Sequence, residues 1–153
     1  MPLKLMYITN KPNVALVAQS AGVDRIWIDL EVLGKKERQG HIDSVKSDHS
    51  IEDIAVIKPL LNKSELLVRV NPINPNSKDE INRVVENGAD IVMLPMFKTK
   101  EEVQFFIDCI NGRARTLLLL ETKEAANNVD EILSVDGIDE IHIGLNDLHL
   151  AYK

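Results

Sequence analysis

A chain of 153 residues that is 44% hydrophobic and 27% charged is long enough to bury one sizeable core and reads as a soluble, folded domain. Its formal charge of −6, with no Lys/Arg cluster interleaved with aromatic residues, argues against a nucleic-acid surface and means that a small anionic substrate would need a cation to bind. The single cysteine, Cys109, excludes a disulfide framework, fits a reducing compartment and reads as a buried core thiol.

Met1-Pro2-Leu3-Lys4 leads into a short strand rather than a long apolar stretch, so no signal peptide or membrane segment is expected and the cytoplasm is the expected location. Strand patterning covers residues 3–8, with Asn10-Lys11-Pro12-Asn13 as turn and cap and a first helix over 14–21. A second strand over 25–31 ends Ile28-Asp29-Leu30-Glu31, which puts two carboxylates side by side on one face of the strand. Residues 32–49 then form the one long irregular stretch, with Gly34, Gly40, Lys35, Lys36, Arg38, His41 and His49; loops beyond about 12 to 15 residues are uncommon unless functional or disordered, and this one is read as covering the substrate. Ser50-Ile51-Glu52-Asp53, Ser77-Lys78-Asp79-Glu80 and Thr99-Lys100-Glu101-Glu102 resemble three capping boxes and place three further helices. Pro72 and Pro75 stiffen the loop after the third strand. Four consecutive leucines, Leu117 to Leu120, suit a strand of a parallel sheet buried on both faces. They are followed by Glu121 at the carboxyl end and a helix start at Lys123.

Arg69, Pro95, Glu121 and Asp147 lie 26 residues apart, each at or just beyond the end of an apolar run. One strand, one helix and two short loops take roughly 25 to 30 residues, so the spacing is that of successive βα units. Ala21-Gly22-Val23-Asp24, Asn87-Gly88-Ala89-Asp90 and Asp136-Gly137-Ile138-Asp139 mark the opposite ends of such units, each Gly capping a helix just before an apolar run. The pattern predicts six strands and five helices, with a sixth helix beginning at Leu148. Alternating units either close into a barrel of eight, typically about 250 residues, or stop as an open doubly wound sheet; length alone favours the open sheet.

The residues at the strand ends favour the barrel. Ile26-Trp27-Ile28-Asp29-Leu30-Glu31, Val68-Arg69-Val70-Asn71, Gly88 through Pro95, Glu121-Thr122-Lys123-Glu124-Ala125 and Gly144-Leu145-Asn146-Asp147-Leu148 together resemble the aldolase and citrate lyase β-subunit family, whose best-known members are the HpcH/HpaI aldolases. Five blocks in order cover nearly the whole chain and make the match specific. The resemblance implies a (β/α)8 TIM-barrel type α/β fold. Here it is expected to be a single partial domain over 1–153, with about six βα units present and the chain ending before the last two. It also implies a carbon–carbon lyase that uses Mg²⁺ or Mn²⁺ and acts on a keto acid or acyl-CoA through a metal-stabilised enolate.

Matched residue by residue, the resemblance puts Glu121 and Asp147 on the metal-binding carboxylates and Arg69 on the arginine that contacts substrate oxygen, with Pro95 and Asn146 beside it in substrate binding. Mg²⁺ commonly keeps waters and substrate oxygens beside one or two carboxylates, so two suffice. Glu31 either pairs with Arg69 or takes part in catalysis. The histidine that follows this Glu in the HpcH/HpaI aldolases is replaced by Val32, and a glutamine two residues before the metal-binding Glu by Leu119. His41, or His49, from the long loop is then the candidate base. His142 and Trp27 read as interior packing. Two other readings stay open: a non-catalytic fragment or accessory chain of such a barrel, and an open-sheet phosphoacceptor module. Against the last, such a module needs a Lys at the end of a late strand, and Leu120 and Leu145 precede the two rim carboxylates instead. Uncovered edges at residues 3–8 and 139–143 predict a homo-oligomer.

Overall fold

The computed structural model describes residues 3–34 and 48–153. Six strands, β1 (Met6–Ile8), β2 (Arg25–Asp29), β3 (Glu65–Arg69), β4 (Ile91–Leu94), β5 (Arg115–Leu120) and β6 (Glu140–Ile143), form one sheet. The strands lie in the order β1-β2-β3-β4-β5-β6 and every pair is parallel. A doubly wound sheet reverses its strand order at a switch point; this one never does. It is an incomplete TIM-barrel-like α/β fold, and the open-sheet expectation from length falls on strand order alone.

Among the described residues six α-helices connect the strands and a seventh follows β6: α1 (Pro12–Ser20), α2 (Ile51–Ile57), α3 (Ser77–Glu86), α4 (Lys100–Ile110), α5 (Lys123–Asn127), α6 (Val129–Leu133) and α7 (Leu145–Ala151). Strand side chains alternate between two faces, and the sequence satisfies both. Ile26, Ile28, Leu66, Val68, Val92, Leu94 and Leu118 face outward onto Ala15, Ile54, Ile81, Val84, Val103 and Phe106 of the helices. Leu67, Ile91, Met93, Leu117 and Leu119 form a separate inner cluster with Met6 and Trp27, to which no helix contributes. The unbroken leucine run of β5 is thereby explained: alternate leucines fill alternate cores, each burial stabilising by roughly 2 kcal/mol.

The Gly-x-Asp repeat does more than end helices. Gly22, Gly88 and Gly137 have φ of 90, 104 and 94°, where a side chain would strain the backbone. The Asp that follows reaches back to the start of the preceding strand: Asp24 Oδ2 accepts from the Leu5 amide, Asp90 Oδ2 from Leu66 and Asp139 Oδ2 from Thr116, each at 2.8 Å. The clamp joins β1 to β2, β3 to β4 and β5 to β6, so the unit of repetition at this end is a pair of strands.

A second polar layer crosses the lower interior. Arg25 Nη2 meets Glu140 Oε1 at 2.7 Å and Arg115 Nη1 meets the same oxygen at 3.2 Å. Both arginines also pair with Glu65. Arg25 is 2% exposed; burial acts to strip its proton, but the Glu140 and Glu65 carboxylates outweigh that and hold its pKa above the ordinary value. These residues sit at the amino ends of β2, β3, β5 and β6, away from the rim.

Several helix starts differ from expectation. Residues Thr99 and Glu102 form the expected box, the Thr99 hydroxyl accepting from the Glu102 amide, and Asp53 Oδ2 accepts from the Ser50 amide at 2.8 Å. Ser77, however, is the first residue of α3 rather than its cap, with Asn76 before it. Its hydroxyl accepts from the Asn74 amide, and Glu80 turns to Asn71 instead. The first helix starts at Pro12, which needs no amide partner at that position. The single helix expected after Lys123 is interrupted at Asn128 (φ −108°, ψ 19°). The last begins at Leu145 rather than Leu148, so Asn146 and Asp147 lie in its first turn.

Candidate active site

The carboxyl ends of the strands open onto a cavity of about 1060 Å³ whose wall includes Thr9, Asn10, Lys11, Trp27, Asp29, His49, Arg69, Glu121, His142, Asn146 and Asp147. Residue register brings the rim groups together: Asp29 pairs with Arg69 across β2 and β3. The guanidinium is clamped on two sides, Nε to Asp29 Oδ1 and Nη2 to Asp29 Oδ2 at 2.9 Å each, and Nη1 to Glu31 Oε2 at 3.1 Å. Its face lies 5.2 Å from the Trp27 ring centroid. Burial works against the charged form of Arg69, but the Asp29 hydrogen bond and the charges of Asp29, Glu31 and Glu121 raise its pKa above the ordinary value.

Glu121 follows β5 and is 4% exposed. Its Oε1 accepts from the Met96 amide at 3.2 Å, which the left-handed Met96 (φ 54°), just after Pro95, turns toward it. Burial pushes the Glu121 carboxyl up to about 7; Glu31 adds to the rise, Arg69 opposes it and Asp147 adds again. Glu121 is therefore a carboxylate short of positive charge. Gly144 lets the β6–α7 turn approach it: a Cβ there would meet Glu121 Cβ at 2.7 Å and Oε2 at 2.9 Å. Asp147 follows in the first turn of α7. Two oxygen donors from neighbouring units, one destabilised as an anion by its surroundings, fit a hard divalent cation. Among the described residues no group of three His, Cys, Asp or Glu converges on a metal-sized point, so the remaining positions would fall to water and substrate oxygens.

Of the residues singled out from sequence, Arg69, Glu121, Asp147 and Asn146 share this cavity wall. Glu31 is buried behind Arg69 and Pro95 is buried after β4. His41 lies outside the described residues, as do 35–47 of the long loop. Trp27 and His142, read as interior packing, both line the cavity; burial lowers the pKa of His142, and the charges of Arg25 and Arg69 lower it further.

One group, Asn71, escaped sequence reasoning, and His49, read there as a candidate base, makes a contact the sequence did not foretell. Asn71 Oδ1 accepts from the amides of Val32 and Leu33 at 2.9 and 3.1 Å while its Nδ2 donates to Glu80 Oε1 at 2.8 Å, tying the root of the long loop to β3 and α3. Burial raises the pKa of Glu80, against these bonds from Asn71. His49 Nδ1 accepts from the Asp29 amide at 2.9 Å. An Asn two residues after Arg69 was a visible signal; the His49 contact spans 20 positions and leaves no local pattern.

The sequence profile of the HpcH/HpaI aldolase/citrate lyase family matches residues 4–153. Hydroxypyruvate/pyruvate aldolase of Rhizorhabdus wittichii is 29% identical over 160 aligned positions, covering 81% of this chain and 62% of that protein. The crystal structure of citrate synthase SbnG superposes with a TM-score of 0.74 at 20% identity, covering 97% of this chain and 63% of that one. The HpcH/HpaI aldolase from Desulfitobacterium hafniense DCB-2 gives 0.73 at 16%, covering 97% and 65%. The chain thus spans a little over three fifths of the length of these relatives. With the profile matched from end to end and the rim groups standing where its barrel strands finish, the chain belongs to the HpcH/HpaI aldolase/citrate lyase family.

Proposed function

We propose that this chain carries the active-site residues of a divalent-metal-dependent carbon–carbon lyase acting on a small keto acid through an enolate. The observation that carries this reading is the single cavity shared by a pre-clamped Arg69 and the carboxylates Glu121 and Asp147. Breaking the bond next to a carbonyl leaves an electron pair that spreads onto oxygen, and a fixed positive group lowers that barrier. Of the five guanidinium N–H groups, three go to Asp29 and Glu31, which leaves two for substrate oxygen. Glu121 and Asp147 would hold Mg²⁺ or Mn²⁺, which when bound supplies Lewis-acid stabilisation of the developing charge. A keto acid is favoured over an acyl thioester because the relative from Rhizorhabdus wittichii is called a hydroxypyruvate/pyruvate aldolase.

The lone, buried Cys109 suits the cytoplasm, and no helix among the described residues is long and apolar enough to cross a membrane. The two outer strands of the sheet suit a homo-oligomer. Aldol cleavage and addition should be followed with pyruvate or hydroxypyruvate and a small aldehyde, with Mg²⁺ or Mn²⁺ and with chelator. Metal-dependent turnover is expected. A folded protein that binds Mn²⁺ yet turns over neither keto acid would overturn the reading and favour the accessory-chain alternative.

A further inference from the structure

Trp27 is the one tryptophan of the chain, and it stands directly beneath the arginine of the site. Side chains on one face of a strand recur every second residue, so on the inner face Trp27 lies one step below Asp29 in β2. Leu67, its register partner, lies one step below Arg69 in β3. The pairs Asp29–Arg69 and Trp27–Leu67 are therefore two successive layers of the interior, the upper polar and the lower apolar. Asp29 and Glu31 bond to three nitrogens of Arg69, and such bonds lie in the plane of the guanidinium. They hold its edges and oppose tilting out of that plane least. The Trp27 ring, its centroid 5.2 Å from the guanidinium carbon, bears on a face that the in-plane bonds do not restrain.

The ring also separates two spaces. Trp27, Met6 and His142 belong to the wall of the rim cavity and also to that of a second cavity of about 520 Å³, which reaches Arg25 and Glu140 near the amino ends of the strands. Taking the ring away would join the two and let water under Arg69, where it would weaken the guanidinium's hold on a nearby charge. The indole takes no polar support here: Nε1 is buried and has no hydrogen-bond partner among the described residues. The ring is held by apolar packing against the inner cluster and by the cation over its face. We propose, building on the keto-acid lyase reading above, that Trp27 is a positioning residue for the reaction: its π face keeps the Arg69 guanidinium aimed at the developing enolate oxygen and shuts water out beneath it. Charge on that oxygen is greatest in the transition state, so the effect falls on kcat more than on KM.

The test uses two substitutions that lose no hydrogen bond of the indole, since its N–H makes none among the described residues. W27F keeps an aromatic face, whereas W27L keeps apolar bulk without one. With pyruvate, a small aldehyde and Mg²⁺, W27F should keep kcat within about threefold of wild type, as a smaller aromatic face over the same cation predicts. W27L should lose about tenfold or more in kcat with KM changed by less than about threefold, as the loss of a contact that serves the transition state predicts. Thermal unfolding accompanies each variant, and W27M replaces W27L if that variant fails to fold. Because Trp27 is the chain's one tryptophan, its emission reports the contact without turnover. R69A should shift that emission in the folded, metal-free protein, and an unchanged spectrum overturns the proposal. Equal kcat in W27F and W27L would make Trp27 packing only and overturn it too, as would a loss confined to KM, and either result leaves the lyase reading standing. A folded wild type that turns over neither pyruvate nor hydroxypyruvate would overturn the lyase reading and this role of Trp27 with it.

Discussion

Arg69 is committed before any substrate arrives, with Asp29 across two of its nitrogens and Glu31 on the third. An ammonium cannot reproduce that planar fork, so R69K should lose most of its turnover, on the order of a hundredfold, with a melting temperature near that of the wild type. Near-normal kcat in R69K would make the arginine a structural partner of Glu31 only. Glu121 and Asp147 are tested by calorimetry with Mn²⁺: either Ala substitution should weaken binding sharply, since one carboxylate is a poor chelator, and unchanged affinity in the double variant would remove the site from consideration. Glu121 also sets a pH dependence of the metal-free protein. Its carboxyl titrates near 7 when folded, against 4.5 as the ordinary value, so the folded state holds a proton that the unfolded chain gives up. Its contribution is therefore complete below pH 4.5 and is lost as pH rises toward and through 7, amounting to on the order of 3 kcal/mol at most. Urea unfolding at pH 5 and pH 8 should show a larger loss in the wild type than in E121Q; equal losses would mean that Glu121 is not held protonated.

At the scale of the element, the paired-strand clamp of Gly-x-Asp can be taken apart one turn at a time. Asp90 accepts from both the Leu66 amide and Lys58 Nζ, at 2.8 and 2.6 Å, so D90A should cost about 1–2 kcal/mol, and more than D24A, whose partners are the Leu5 amide and an exposed lysine. Equal effects in chemical denaturation would mean that the clamp is no more than a capped turn. Much of this architecture was legible because it is local: the glycine caps and the double-faced leucines of β5 each declare themselves within a few residues. What was not legible involves choices among equal local options. Ser77 had the spacing of a cap, but its neighbour Asn76 took that place because Glu80 was drawn to Asn71 nine positions back. Leu145 opened the last helix early, since Gly144 is the one residue that can lie against Glu121. Spacing set Arg69, Glu121 and Asp147 at the ends of successive strands and the family resemblance gave them their expected roles, whereas the His49 contact depends on where β1 stops, which no pattern around His49 reveals.

Across the whole molecule the two outer strands decide behaviour in solution. Among the described residues β1 pairs only with β2 and β6 only with β5, and apolar residues on and beside them lie open: Leu3 is 82% exposed, Tyr7 48%, Ile143 56% and Leu145 73%. In a closed barrel such strands have neighbours on both sides, and the closure abolishes edges. Unpaired backbone N–H and C=O groups beside exposed apolar side chains invite pairing with another chain, and apolar patches beyond a few hundred Å² favour association. The 153-residue chain expressed alone should therefore self-associate at micromolar concentration, seen as a light-scattering mass above that of one chain. Substituting Ile143, which lies on the outer face of β6, by Lys should shift that mass toward the monomer, because an edge charge opposes strand addition, whereas the same change at exposed Val56 of α2 should leave it unaltered. A well-dispersed monomer with a sharp thermal transition would mean that the edges at β1 and β6 are protected within the chain itself, and the association would then have to be sought at another face or abandoned.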